Sequence, residues 1–103
     1  MWILHAAESE AGPITFRVSP GATKTLGRAP RADFILEAAL VSRLHCRLEA
    51  GLDNLEVVDL ASTNGTFVNG ARVERAVLRN GDTLAVGKVE FVVSRRTDSS
   101  VTQ

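Results

Sequence analysis

Three short, widely separated stretches concentrate hydrogen-bond donors with no carboxylate among them: Gly27-Arg28, Ser42-Arg43-Leu44-His45 and Ser62-Thr63-Asn64-Gly65. An arginine presents a planar fork of N–H groups that matches phosphate oxygens and does not lose its charge, while hydroxyls and backbone amides complete an oxyanion cradle. Arg28 supplies charge and Ser42 a neutral donor. Asn64 carries both a donor and an acceptor and so can satisfy a peptide backbone from both sides. A phosphorylated peptide is the ligand these residue types suit.

Other chemistries fit less well. Ser42, His45 and Asp59 are the residue types of a hydrolytic triad, but no nucleophile elbow surrounds Ser42, so no enzyme is expected. One cysteine and two histidines without ligand spacing do not make a metal site, and no cofactor is implied. The 12 basic and 12 acidic side chains cancel, so no general field draws the chain to nucleic acid. Locally the balance shifts: Lys24, Arg28, Arg31, Arg43 and Arg47 face only Asp33 and Glu37 in that part of the sequence. Cys46 reads as a small core residue and suits a reducing compartment. The opening Met1-Trp2-Ile3-Leu4-His5 has neither a basic leader nor a long apolar stretch, so no membrane span or signal is expected. The expectation is a soluble cytoplasmic protein, with the nucleus as the alternative.

The elements that must position these donors are strands. At 103 residues the chain is long enough for one domain burying about two thirds of its unfolded surface. Segments rich in Val, Ile, Leu, Phe and Thr alternate with turn signals, the pattern of a sandwich or barrel. Strands are expected at residues 2–5, 15–18, 23–26, 34–36, 46–49, 55–59, 66–68, 83–86 and 89–93, with a very short one at Arg72-Val73. Gly12-Pro13, Pro20-Gly21, Asn64-Gly65, Asn69-Gly70, Asn80-Gly81 and Gly87-Lys88 punctuate them, which makes the pairing mostly antiparallel. Two sheets packed face to face would bury Phe16, Leu26, Phe34, Leu48, Val57, Leu84 and Phe91. Residues 38–44 break the alternation and are read as a connection. The run Ser62 to Gly70 is read as a loop, a stub of strand and a turn, with Ser62, Thr63 and Asn64 facing a ligand. Residues 1–93 are expected to form the domain and the polar residues 94–103 a tail or linker.

Gly27-Arg28, Ser42-x-x-His45, Asp59-x-x-Ser62-Thr63-Asn64-Gly65-Thr66 and Asn69-Gly70, followed by Leu78-Arg79-Asn80-Gly81-Asp82 and Gly87, resemble the signature of the forkhead-associated (FHA) domain. The resemblance covers roughly residues 3 to 93. It implies an eleven-stranded β-sandwich of two mostly antiparallel sheets, with a phosphothreonine site on loops at one end, where direct residue reading finds nine or ten strands. It further implies phosphate binding by Arg28, Ser42 and Thr63, with Arg43 as a second phosphate or peptide contact. Asn64 would hold the peptide main chain, with Asn69 as a peripheral contact. His45, Gly27 and Gly65 would support the site structurally. Family members favour phosphothreonine over phosphoserine through a niche for the γ-methyl, worth about 0.8 kcal/mol. The loop offers Leu40 and Val41, which points to an apolar side chain at the third residue after the phosphothreonine.

The function expected is docking of Thr-phosphorylated partners downstream of a Ser/Thr kinase, by a domain that is monomeric in isolation. The competing reading is a scaffold or oligomerisation module that keeps the fold and ignores phosphate. Thr97 and Thr102 in the tail are candidate phosphorylation sites.

Overall fold

The computed structural model describes residues 1–10 and 12–96. Eleven strands follow one another: β1 (Trp2–Ala6), β2 (Ile14–Val18), β3 (Thr23–Gly27), β4 (Phe34–Ile35), β5 (Cys46–Ala50), β6 (Leu55–Asp59), β7 (Thr66–Val68), β8 (Ala71–Val73), β9 (Arg75–Leu78), β10 (Thr83–Val86) and β11 (Val89–Arg95). One sheet has the order β2-β1-β11-β10-β7-β8 and the other β4-β3-β5-β6-β9. Every pairing is antiparallel except β3 with β4.

Period-two alternation builds the core between the sheets. On β11, Val89, Phe91 and Val93 point inward while Glu90 and Val92 point out. On β5, Cys46, Leu48 and Ala50 do the same. Leu26, Leu48, Val57, Leu84 and Phe91 are fully buried, as their positions in the strands lead one to expect. Phe16 and Phe34 are only half-buried because β2 and β4 are the outer strands of their sheets. Their rings stack across the gap with centroids 4.5 Å apart and planes 8° from parallel, closing that side of the sandwich. Cys46 sits in the core, where burial, then the charge of Asp59, pushes its thiol up to about 12.

The structure corrects the sequence reading in two places. Strand β9 was not expected: Arg75-Ala76-Val77-Leu78 has weak strand propensity and lies at a sheet edge, with only Ala76 and Leu78 facing inward. Strand β11 runs two residues past Val93, and Arg95 pairs with Trp2, so Ser94 and Arg95 belong to the sheet rather than to a frayed tail. The guanidinium of Arg95 also lies 5.5 Å from the Trp2 ring centroid. The run from Ser62 to Gly70 is a loop, a short strand and a turn, as its residues lead one to expect, and its two Asn-Gly pairs differ. Asn69 and Gly70 both have positive φ, 51° and 86°, as the two-residue β7–β8 hairpin requires. In Asn64-Gly65 only Gly65 does, at 91°, so that pair belongs to an open loop. Thr97 and Thr102 lie outside the described residues.

Phe91 packs in the middle of this core. Replacing it with alanine is expected to cost about 3–5 kcal/mol. Urea unfolding should show the loss as a lower midpoint at an unchanged slope.

Candidate functional site

The ladder between β3 and β5 continues past the ends of both strands into two loops. The His45 N–H donates to the Leu26 carbonyl at 2.8 Å, the Arg28 N–H to Ser42 at 3.0 Å and the Ala29 N–H to Arg43 at 3.0 Å. Arg28 and Ser42, distant in sequence, are thereby set across from each other. The approach is so close that a Cβ on Gly27 would lie 2.0 Å from the Arg43 carbonyl oxygen, which is why this position is glycine despite an ordinary φ. The Arg28 Nε–H donates to the Val41 carbonyl at 3.1 Å, fixing the side chain by its inner nitrogen. The two outer nitrogens have no protein partner among the described residues.

His45 is fully buried. Its Nδ1 accepts the Ser42 N–H at 3.0 Å, so that nitrogen is unprotonated, and Nε2–H donates to the Gly65 carbonyl at 2.8 Å. The imidazole is therefore the neutral Nε2–H tautomer and ties the β4–β5 loop to the β6–β7 loop.

Asp59 organises the β6–β7 loop. Its carboxylate accepts the Ser62 hydroxyl at 2.5 Å, the Thr66 hydroxyl at 2.7 Å and the Ser62 N–H at 3.1 Å. Burial raises its pKa, but these hydrogen bonds more than offset that and hold it below the ordinary 3.8. The Ser62 oxygen in turn accepts the Gly65 N–H at 3.0 Å. Ser62 is only 7% exposed. The expectation that it faces a ligand is thus corrected, because its hydroxyl is consumed inside the loop. The spacing Asp59-x-x-Ser62, typical of side chains that fold back on nearby backbone, was the available signal.

Thr63 and Asn64 are exposed. The Thr63 N–H donates to the Ser42 hydroxyl oxygen at 3.0 Å, and the Asn64 amide to the Leu40 carbonyl at 3.2 Å. Since the Ser42 oxygen accepts here, its own proton is left to donate to a ligand. Arg28, Ser42, Thr63 and Asn64 line one concavity of about 770 Å³ with Leu40. An adjoining concavity of about 550 Å³ is lined by Arg28, Arg31 and Arg43.

Arg43 therefore borders the second hollow rather than the first. Val41 borders the first, but its side chain is 3% exposed and belongs to the core, so Leu40, 48% exposed, is the apolar group that loop offers. Asn69 is not brought into the hollow. Its amide donates to Asp82 at 3.1 Å and accepts the Thr83 N–H at 2.9 Å, which pins the hairpin to β10. Glu10 and Glu37, which the sequence did not single out, also line the first hollow, and Glu10 accepts the Ala39 N–H at 2.8 Å. A glutamate before β2 carries no local signal of this, since only the tertiary fold brings it there. Nor do Ser42, His45 and Asp59 form a triad: the Ser42 hydroxyl is bonded to Thr63, the imidazole to backbone, and Asp59 to Ser62 and Thr66.

A two-sheet sandwich whose loops gather an arginine, hydroxyls and an amide at one end has the architecture of a binding module. Residues 24–87 match the family model of the FHA domain, and the chain belongs to that family. It is 40% identical over 86 residues to the ABC transporter ATP-binding/permease protein Rv1747 of Mycobacterium tuberculosis, covering 84% of this chain and 10% of that protein. It is 43% identical over 82 residues to the glycogen accumulation regulator GarA of Mycolicibacterium smegmatis, covering 76% of this chain and 51% of that protein. The chain thus spans about a tenth of the one relative and about half of the other. Among solved structures, the FHA domain of the CT664 protein from Chlamydia trachomatis superposes with a TM-score of 0.84 at 26% identity, over 93% of this chain and 98% of that one. A structure described as part of an analysis of phosphothreonine-dependent FHA domain interactions gives 0.79 at 30% identity, over 93% and 97%.

Two substitutions test this architecture. Gly27→Ala should push the Arg43 segment away and cost about 1–3 kcal/mol, read by urea unfolding. Asp59→Asn puts an amide against the hydroxyl donors and should cost a similar amount, about 1–3 kcal/mol. The folded pKa of Asp59 is depressed, so its contribution is present above pH 3.8 and lost as pH falls through the folded value. Unfolding midpoints measured against pH should therefore drop less steeply below 3.8 in the Asn variant than in the wild type.

Proposed function

We propose that this domain docks proteins carrying a phosphothreonine, without doing chemistry on them. The observation that supports this best is the shared hollow of Arg28, Ser42 and Thr63, in which a fixed guanidinium, a free hydroxyl proton and a second hydroxyl meet with Asn64 beside them. A phosphate there would take charge-assisted bonds from Arg28 and neutral ones from Ser42 and Thr63, while Asn64 holds the peptide main chain. The module acts downstream of a Ser/Thr kinase and, on this reading, works in the cytoplasm. No helix among the described residues is long and apolar enough to cross a membrane. Leu40 is the group we assign to an apolar side chain following the phosphothreonine.

Titration of a phosphothreonine peptide and its unphosphorylated twin by calorimetry tests the reading. Only the phosphorylated form should bind, and Arg28→Ala should weaken it by about ten-fold to a hundred-fold without unfolding the domain. Equal binding of both peptides, or of neither, would favour a phosphate-independent scaffold. Affinity should also decline as the pH drops below about 6, where the phosphate takes up its second proton. That loss precedes any acid effect on Asp59, whose folded pKa lies below 3.8.

A further inference from the structure

The hollow assigned to the phosphothreonine does not end at Arg28. Arg28 and Pro30 line both it and the adjoining one, so the two share a wall, and a chain crossing that wall along this trough meets Arg31 and Arg43 next. Neither of those two, nor Arg28, takes part in an ion pair among the described residues. The acidic group nearest in sequence to Arg31 is Asp33, and its carboxylate is occupied by the N–H and hydroxyl of Thr25, at 2.9 and 3.1 Å. Glu37 lines the first hollow and not the second.

The segment bearing Arg31 is also held in place. Thr25 and Asp33 bond reciprocally, the Ala32 N–H closes a turn onto Ala29 at 3.0 Å, and Ala32 is buried. Three cations without counter-ions on preorganised backbone repel one another at a cost that an anion would relieve. Two carboxylates, Glu10 and Glu37, line the first hollow, and neither lines the second. The two hollows therefore differ in charge: carboxylates accompany Arg28 in the first, and arginines are the only charged groups lining the second.

From this arrangement we infer that the trough has a second phosphate subsite, formed by Arg31 and Arg43, and that the domain selects segments phosphorylated twice. This deepens the phosphothreonine reading and rests on it. The second phosphate is favoured on the side of the phosphothreonine that crosses Pro30 toward Arg31, and disfavoured on the side that faces Glu10 and Glu37. A dianionic phosphate satisfies two guanidinium forks at once, which a single carboxylate does less well.

The test is a set of peptides of one sequence: one with a single phosphothreonine, others with a second phosphothreonine at each nearby position on either side, and matched peptides with glutamate there. Calorimetric titration should show about ten-fold tighter binding for second phosphates on one side only. Arg31→Gln should abolish that gain while leaving affinity for the singly phosphorylated peptide unchanged, which also reports that the variant is folded. Less than a two-fold gain at every position would overturn the subsite. A glutamate gain equal to that of phosphate would overturn its assignment to phosphate. Failure of the singly phosphorylated peptide to bind would instead overturn the phosphothreonine reading itself.

Discussion

One neutral imidazole holds the binding end of this domain together. Every polar group of His45 is engaged: its N–H with Leu26, its carbonyl with the Leu60 N–H, Nδ1 with the Ser42 N–H and Nε2 with the Gly65 carbonyl. Through it the end of the β3–β5 ladder, the β4–β5 loop and the β6–β7 loop share one buried anchor. Burying a polar ring is costly unless its hydrogen bonds are made, and here each nitrogen has one partner of the matching kind. A loop that moved would leave a buried nitrogen unsatisfied, so the anchor converts small displacements into a real energetic penalty.

That anchor separates the polar side chains into two populations. Ser62, Thr66 and His45 are buried and spend their hydrogen bonds on the protein, while Arg28, Thr63 and Asn64 are exposed, with the N–H groups of Arg28 and Thr63 held by Ser42. The exposed set is positioned without being saturated. Arg28 uses one nitrogen on Val41, Ser42 uses its lone pair on Thr63, and Asn64 uses its amide on Leu40. Each retains a group able to bond outward. Leu40 and Ala61 adopt positive φ, 70° and 56°, a strain that non-glycine residues sustain only where their surroundings over-determine the backbone. Leu40 lies in the β4–β5 loop and Ala61 in the β6–β7 loop, the two that His45 joins.

Strands with clear alternation were legible in the sequence because their inward positions carry the apolar residues, as on β5, β10 and β11. Edge strand β9 was not, since a strand with one neighbour and one wet face needs little pattern to form. For the site, donor chemistry pointed the stretches carrying Arg28, Ser42, Thr63 and Asn64 toward one phosphopeptide, and resemblance to a known signature supplied their separate roles. Nothing in their spacing says that the ladder of β3 and β5 continues into the loops. Ser62 and Thr63 are adjacent and chemically alike, yet one is swallowed by Asp59 and the other is exposed. That difference is decided by which hydroxyl reaches the carboxylate, a tertiary fact. Val41 likewise looked available beside Leu40, but the chain turns between them and buries one while exposing the other.

The same reasoning explains how a chain with no net charge can serve an anionic ligand. Over a whole domain the 12 basic and 12 acidic groups leave no long-range field, and salt screens what remains beyond about 8–10 Å. Recognition then depends on where carboxylates are spent. Glu49 and Glu56 pair with Arg75, Asp53 with Arg95, Asp33 is bonded by Thr25, Asp59 by Ser62 and Thr66, and Asp82 by Asn69 and the Arg79 N–H. Those commitments draw negative charge away from Arg28, Arg31 and Arg43, whose guanidinium groups have no carboxylate partner among the described residues. Neutral composition thus coexists with a strongly cationic patch, because carboxylates engaged elsewhere cannot neutralise arginines that stand apart from them.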